Sequence, residues 1–375
     1  MQVRPVVSRA DLNRFVALPY RLNARDPIWV PPLRSDIYKL LDRGTNPFFD
    51  HGAAEYFLAE RAGEVVGRIA AITNRLHNEY HSDQIGFFGF FETIFDQAIA
   101  DALFEAAAAW LRGRGHDVMR GPASFSTNDE CGLLVDGFDT PPTLMMPHNP
   151  PHFSRLLEAA GFKKAKDLLV YRGGYEACYI PVPDRLVRAT ELIKKRNNLT
   201  LRPLNMADFK NEVDRIKLLY NKGWEKNWGF VPMTDREIDH LAEQFKPVAN
   251  PDLIPFVEQD GEVIGFGLAL PDLNAIFRRH RSGRLTPALI ADLLFSLKAK
   301  RIRRARILLL GVVPEWRGKG VDAVLYHWIW TKSREHQIYW GEAGWILEDN
   351  PAMNAGLEKM DFTVYKTYRM YDRAL

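Results

Sequence analysis

The stretch Arg317-Gly318-Lys319-Gly320 has residue types and spacing suited to holding an anion. It follows a short apolar run, Ile307 to Val313, of buried-strand length, and the turn Pro314-Glu315-Trp316. It precedes apolar residues at helical spacing, Val321, Val324, Leu325, Trp328 and Ile329. Glycines let backbone N–H groups approach a ligand closely, and the first turn of a helix leaves donors unpaired at the positive end of its dipole. Arg317 and Lys319 add charge. Taken alone, the same residues also read as a plain glycine turn ahead of a surface helix.

Four further groups carry polar chemistry. Ser126-Thr127-Asn128-Asp129-Glu130-Cys131 packs hydroxyls, an amide, two carboxylates and a thiol just after a strand, where loops carry function; it also reads as a hydrogen-bonded turn. Cys131 has no identifiable activating partner. His77-Asn78-Glu79-Tyr80-His81 differs from the His-Glu-x-x-His zinc pattern and lacks an evident third ligand, so no metal is expected there. It reads as a surface cluster or as the source of a base, His77. His148-Asn149 stands just before a helix. Glu348 ends the penultimate strand, as a base or as a solvent-facing carboxylate.

The elements that position these groups come in two similar sets. The first runs from a strand at Val3–Val7, through a helix at Ala10–Leu22 broken near Pro19, to a hairpin turning at Ala62-Gly63-Glu64. It continues with strand Ile85–Glu92, helix Asp96–Arg112, strand Asp117–Phe125, a long connection Ser126–Met146, helix Pro150–Ala160 and strand Leu168–Tyr171. The second repeats that order: strand Leu199–Leu204, helices Asp208–Trp224 and Thr234–Phe245, and a hairpin with an Asp260-Gly261 turn. An added helix, Thr286–Lys300, precedes the glycine turn and the closing strand–helix–strand. A repeat this long means two copies of one α/β domain, expected at 1–180 and 199–375 with a linker at 181–198. The length of 375 residues fits two domains.

Composition narrows the function. A net charge of +3 gives no general attraction to nucleic acid. Two cysteines, Cys131 and Cys178, give neither a disulfide framework nor a metal pattern. There is no signal-peptide core, and no apolar run approaches the roughly 18–20 residues of a membrane span. A cytoplasmic protein is expected. The 22 Phe, 13 Tyr and 9 Trp suit dense cores or large apolar ligands. Arg278 to Arg306 holds ten Lys and Arg against one acid, Asp292, around an amphipathic helix. It reads as a core-packed helix with solvated charges or as a peripheral contact with the inner face of a membrane.

This order, with the glycine turn in place, resembles the GNAT acyl-CoA N-acyltransferase fold, whose pyrophosphate loop reads Arg/Gln-x-x-Gly-x-Gly/Ala. Arg317 and Gly320 match it, and Asp322 departs at the last position. Asn350 matches the Asn that opens the family's following helix. Leu357 stands where that helix carries a Tyr acid, and Asp361 replaces the Gly before Phe362. The first half resembles the same fold through Asn149 to Gly161-Phe162, without a glycine loop of its own. A closer resemblance is to tandem GNAT-like proteins that include the bacterial ceramide synthases. The segments that carry it are WVPPLRSD, NPFFDHG, RIAAITNRLHNEYH, GFFGFFE and GPASFSTNDECGLLVDGFDTPP.

The resemblance implies transfer of a fatty acyl group from acyl-CoA to a sphingoid-base amine, with no cofactor beyond acyl-CoA or acetyl-CoA. It implies that Val312 and Val313 polarise the thioester through backbone N–H groups, and that Arg317, Gly318, Lys319, Gly320 and Asn350 hold CoA. Glu130, His148, Glu348 and His77 are then the catalytic candidates. Asn128, Asp129 and Asn149 are the candidates for binding the acceptor. An N-acetyltransferase for a small amine or peptide, and a non-catalytic acyl-CoA-binding protein, are the rival readings, kept open by Asp322 and Leu357.

Overall fold

The computed structural model describes residues 1–178, 180–225 and 227–375. They form two compact units, each drawn from separate stretches of chain. Unit 1 comprises Met1–Leu169, Asn274–Asp292 and Lys366–Leu375, and unit 2 comprises Val170–Leu273 and Leu293–Tyr365.

Unit 1 begins with β1 (Gln2–Pro5), α1 (Arg9–Leu22) and α2 (Arg34–Leu40), then β2 (Gly52–Arg61), β3 (Glu64–Asn74) and α3 (Arg75–His81). It continues with β4 (Ile85–Thr93), α4 (Gln97–Arg112), β5 (Val118–Gly121), β6 (Leu133–Asp136) and α5 (His152–Ala159), and enters β7 (Lys163–Gly174). Its sheet runs β1-β2-β3-β4-β5. Beyond β5 lies the Lys366–Ala374 part of the chain's last strand, which pairs antiparallel with both β5 and β6. The β2–β3 turn holds Ala62 and Gly63 at φ 51° and 82°, the left-handed pair that a two-residue hairpin requires. Helix α4 buries Leu103, Phe104, Ala107 and Leu111 against the sheet, where Phe88, Phe153 and Phe162 join them.

Unit 2 takes the end of β7 and adds α6 (Asp184–Arg196), β8 (Leu199–Pro203), α7 (Phe209–Trp224), α8 (Asp235–Phe245), β9 (Pro255–Gln259) and β10 (Glu262–Pro271). The short α9 (Asn274–Phe277) and the start of α10 (Pro287–Lys298) fall in unit 1. Then come β11 (Arg304–Val312), α11 (Val321–Glu335), β12 (Trp340–Leu347), α12 (Pro351–Lys359) and β13 (Thr363–Ala374). The sheet of unit 2 runs β8-β9-β10-β11-β12-β7. Asp260 and Gly261 make the expected hairpin turn at φ 51° and 84°. Thr234 caps α8 through a reciprocal box with Glu237.

The expected duplication is present: each unit has five antiparallel or parallel strands in one order, with its parallel pair at the same place, β4 with β5 and β11 with β12. Two expectations are corrected. Helix α1 does not break at Pro19. The N–H that Pro19 lacks would have bonded the carbonyl of Phe15, and buried Arg68 fills that vacancy, Nη1 to O at 2.8 Å. The strand expected over Asp117–Phe125 stops at Gly121, because Pro122 has no N–H to continue the ladder.

Candidate active site

In unit 2, β11 is paired on both edges at its start and on one edge at its end. Its antiparallel register with β10 runs to Gly265↔Val312, while its parallel register with β12 runs only from Arg304↔Trp340 to Ile307↔Ala343. The strands therefore part after Ile307. Val313 N–H donates to Ile264 O at 2.9 Å, on the β10 side. Strand amides alternate direction, so the N–H groups of Val312 and Leu310 point to the edge that β12 has left. The two valines singled out from the sequence are thus separated: Val312 offers its amide to the gap and Val313 does not. Leu310 takes its place. Trp224, at the end of α7, lies so close over Gly311 that a Cβ there would meet its ring at 2.3 Å.

The chain passes from β11 through the turn Pro314–Trp316 into the glycine loop. Gly318 and Gly320 have φ of 72° and 82°, and Gly320 is the N-cap of α11, with no side-chain cap hydrogen bond. The first amides of α11 are therefore left for another acceptor. Gly320 is required twice over, since a Cβ would also meet Ile193 at 2.5 Å, whereas Gly318 faces open space. Arg317 donates to Gly223 O at 2.7 Å and to Val312 O at 3.4 Å, tying the loop to the end of α7; it is not received by Asp322. Lys319 sits over the Trp316 ring at 4.4 Å. Glu315 and Asp322 balance Arg317 and Lys319, so an anion here would be held by placed amides rather than by net charge. The influence of Asp322 falls on Tyr326, one turn on, whose hydroxyl is raised first by burial and then by that carboxylate.

The last rungs before the strands part hold a buried ionic group that sequence reasoning missed. Arg306 and Glu342 are register partners, 3% and 0% exposed, with Nε to Oε1 at 3.5 Å. Arg306 also donates to Gly344 O at 3.0 Å, and the Tyr365 hydroxyl donates to Glu342. A carboxylate in the middle of a strand, opposite an arginine opening an apolar run, is the signal that could have found it. By contrast, Glu348 lies exposed beyond the end of β12. Asn350 accepts from Met353 N–H as the cap of α12, so its side chain is already engaged. Leu357 is fully buried core.

In unit 1, His148 Nε2 meets Asp26 Oδ2 at 2.8 Å, with the imidazole side chain 6% exposed. Nδ1 of His148 is buried without a partner among the described residues. Burial pushes the imidazole below its usual pKa, against the pull of Asp26. Burial works against ionisation of Asp26, yet hydrogen bonds from His148 and from the Ile28 and Trp29 amides hold its carboxyl below the usual range. Arg281 fixes the arm that carries Asp26, donating to the carbonyls of Asn23, Asp26 and Trp29. Nearby in the same unit, Arg68 and Glu92 are cross-strand partners on β3 and β4, and burial raises the Glu92 carboxyl to about 7.

The other first-half candidates divide. Asn149 is consumed by the fold: its amide accepts from Leu134 N–H at 2.7 Å and donates back to Leu134 O, pairing like a strand residue. His77 is 1% exposed and packs on His81 and Phe87, with burial lowering its pKa; it is a core residue rather than part of a surface cluster. Ser126 organises the polar loop, accepting from Asn128 N–H and donating to Asp129, while Glu130 is exposed. No group of three potential metal ligands occurs among the described residues. None of their helices is long and apolar enough to cross a membrane.

No protein-family model matches the chain. A tandem GNAT protein from the clavulanic acid biosynthesis pathway, solved without AcCoA, matches with a TM-score of 0.59 at 13% identity, over 100% of this chain and 98% of that one. Likeness at that identity speaks for the fold, which is a tandem GNAT architecture. More closely, the chain belongs to the bacterial ceramide synthase family. The bacterial ceramide synthase of Caulobacter vibrioides (strain NA1000 / CB15N) is 38% identical to it over 380 aligned positions, covering 100% of this chain and 98% of that protein. Protein YghO of Escherichia coli (strain K12) is 34% identical over 377, covering 100% and 95%.

Proposed function

We propose that the protein is an acyl-CoA-dependent N-acyltransferase that joins a fatty acyl group to the amine of a sphingoid base. The observation that carries the acyl-CoA part is the gap that opens after Ile307 and Ala343 beside a glycine loop with no cap of its own. The Caulobacter relative supports the acceptor, since its name is that of a ceramide synthase.

In this reading the CoA pyrophosphate rests on the loop Arg317–Gly320 and the first amides of α11. The pantetheine follows the free edge of β11, and the N–H of Val312 polarises the thioester carbonyl. A neutral amine attacks the carbonyl carbon, the N–C bond forms, the C–S bond breaks, and CoA leaves as a thiolate. Glu348, exposed beyond the end of β12 in the same unit, is the base we favour. The proton that the nitrogen loses ends on the thiolate, a transfer Leu357 cannot perform. Arg306, Glu342 and Tyr365 fix the point where β11 and β12 part. Asn128 and Asp129 remain the candidates for the hydroxylated head group, while Asn149 and Asn350 hold backbone.

The experiment is to supply a sphingoid base to cells expressing the chain and analyse their lipids by mass spectrometry. Purified enzyme is assayed in parallel for thiol release from long-chain acyl-CoA. A new N-acylated lipid is expected, with thiol release dependent on the amine and lost in Gly320→Trp. No such lipid, or full rates for His148→Ala, Glu130→Gln and Glu348→Gln alike, would remove the acceptor or the base from this reading.

A further inference from the structure

Helix α10 is unusually bare. Of its twelve residues, only Leu289 and Ser296 are buried. Ile290, Leu294 and Leu297, spaced at i, i+4 and i+7, form an apolar stripe on solvent, with Leu294 64% exposed. Phe295 beside it is 53% exposed, and Leu285 just ahead of the helix is also exposed. Large apolar side chains massed in this way mark a surface that meets something.

The charges around the stripe identify its partner. Lys298, Lys300 and Arg301 are exposed at the C-terminal end, and Arg284 is exposed ahead of the N-terminal end. The guanidinium of Arg301 stacks over the Phe295 ring at 4.4 Å, so a cation and an apolar ring share one face. The one acid of the segment, Asp292, is engaged by Arg279 and His280 and does not offset them. A symmetric pairing of two such faces would bring like charges together with no acid between them. A bilayer carrying anionic lipids supplies both what the stripe and what the cations lack: an acyl boundary for Leu294 and Phe295, and phosphates for the basic rim. Twelve residues span about 18 Å, too short to cross a bilayer and suited to lying along its surface.

We propose that α10 is a docking helix that lays its Ile290–Leu294–Leu297 stripe and Phe295 on an anionic lipid surface. The docking depends on neither the acyl donor nor the acceptor assigned above. A chain that binds vesicles but makes no ceramide, or the reverse, separates the two claims.

The test is sedimentation of the purified full chain with phosphatidylcholine vesicles, with and without phosphatidylglycerol. Binding is expected with phosphatidylglycerol present, weak without it, and reduced by salt. Leu294→Asp with Phe295→Ser, and separately Lys298→Glu with Arg301→Glu, should each lower the partition about tenfold. All four positions are exposed, so melting temperature and acyl-CoA affinity should stay at the wild-type values. Equal binding to both vesicle types, or variants that bind like the wild type, would overturn the proposal. So would a dimer in light scattering that Leu294→Asp with Phe295→Ser dissolves, because the face would then belong to a second copy.

Discussion

The start of α4 in unit 1 and the start of α11 in unit 2 follow equivalent strands and have opposite chemistry. Helix α4 opens on Asp96, whose carboxylate accepts from the amides of Ala98 and Ile99. Helix α11 opens on Gly320, which has no side chain with which to accept. One helix brings its own anion and the other leaves its amides for a visitor. The strands behind them differ in the same sense. In unit 1, β4 and β5 are paired from Ile85↔Val118 to Phe87↔Arg120. The space beyond is taken by chain: Ala123 N–H bonds Phe88 O at 2.8 Å, and a Cβ on Gly89 would meet Ala123 O at 2.1 Å. In unit 2 the corresponding edge of β11 keeps the amides of Leu310 and Val312 unclaimed by β12. One fold can thus leave a strand edge open or fill it according to one cap and one stretch of backbone.

The largest expected effect concerns the rungs beneath the gap. Glu342→Leu alone leaves Arg306 buried without its carboxylate and should cost about 3–5 kcal/mol of stability. Adding Arg306→Met should recover most of it, as read by urea unfolding; equal losses in the single and double variants would mean the pair does not act as a unit. Next, Gly320→Trp or Arg317→Glu should weaken acyl-CoA binding about a hundredfold by calorimetry, roughly 2.7 kcal/mol. Unchanged affinity would erase the distinction drawn between the two helix starts.

A smaller effect is expected with pH. The native His148 ring resists protonation, so its contribution to stability is full above its ordinary pKa of 6.5 and is lost as the pH falls through the lowered native value. His148→Gln should show a shallower fall in stability as the pH drops below 6.5 than the wild type. An unaltered slope would mean that the acid sensitivity comes from the other histidines held low by burial, His77, His116, His152 and His327. Smallest of all, Asp96→Ala should cost about 1 kcal/mol through the lost cap and leave acyl-CoA affinity untouched. A change in affinity there would erase the contrast between the two helix starts.

Local signals proved legible. The Asp260-Gly261 turn, the Thr234 cap and the glycine loop each depend on a few adjacent residues, and their spacing states the geometry directly. The duplicated order of elements was legible for the same reason, helix by helix and strand by strand. Pairings made across the fold were not. Asp26 and His148 are 122 positions apart, and Arg306 with Glu342 becomes a pair only when β11 and β12 fall into register. Asn149 and Asn350 show the opposite error. An asparagine before a helix looks like a ligand residue, yet in both places its amide replaces a missing backbone partner. Val313 was misread because a strand amide declares its direction only through its neighbour. Pro19 broke no helix because Arg68, from a distant strand, supplied the absent donor.

The membership of Lys366–Leu375 in unit 1 bears on how the chain is made. Those ten residues follow the whole of unit 2 in the chain, and β5 and β6 wait for them with an open edge. The first unit therefore cannot complete its sheet until the second has been synthesised. Until then it carries an unpaired strand edge. Deleting Lys366–Leu375 would accordingly do its damage in the half of the molecule that was synthesised first.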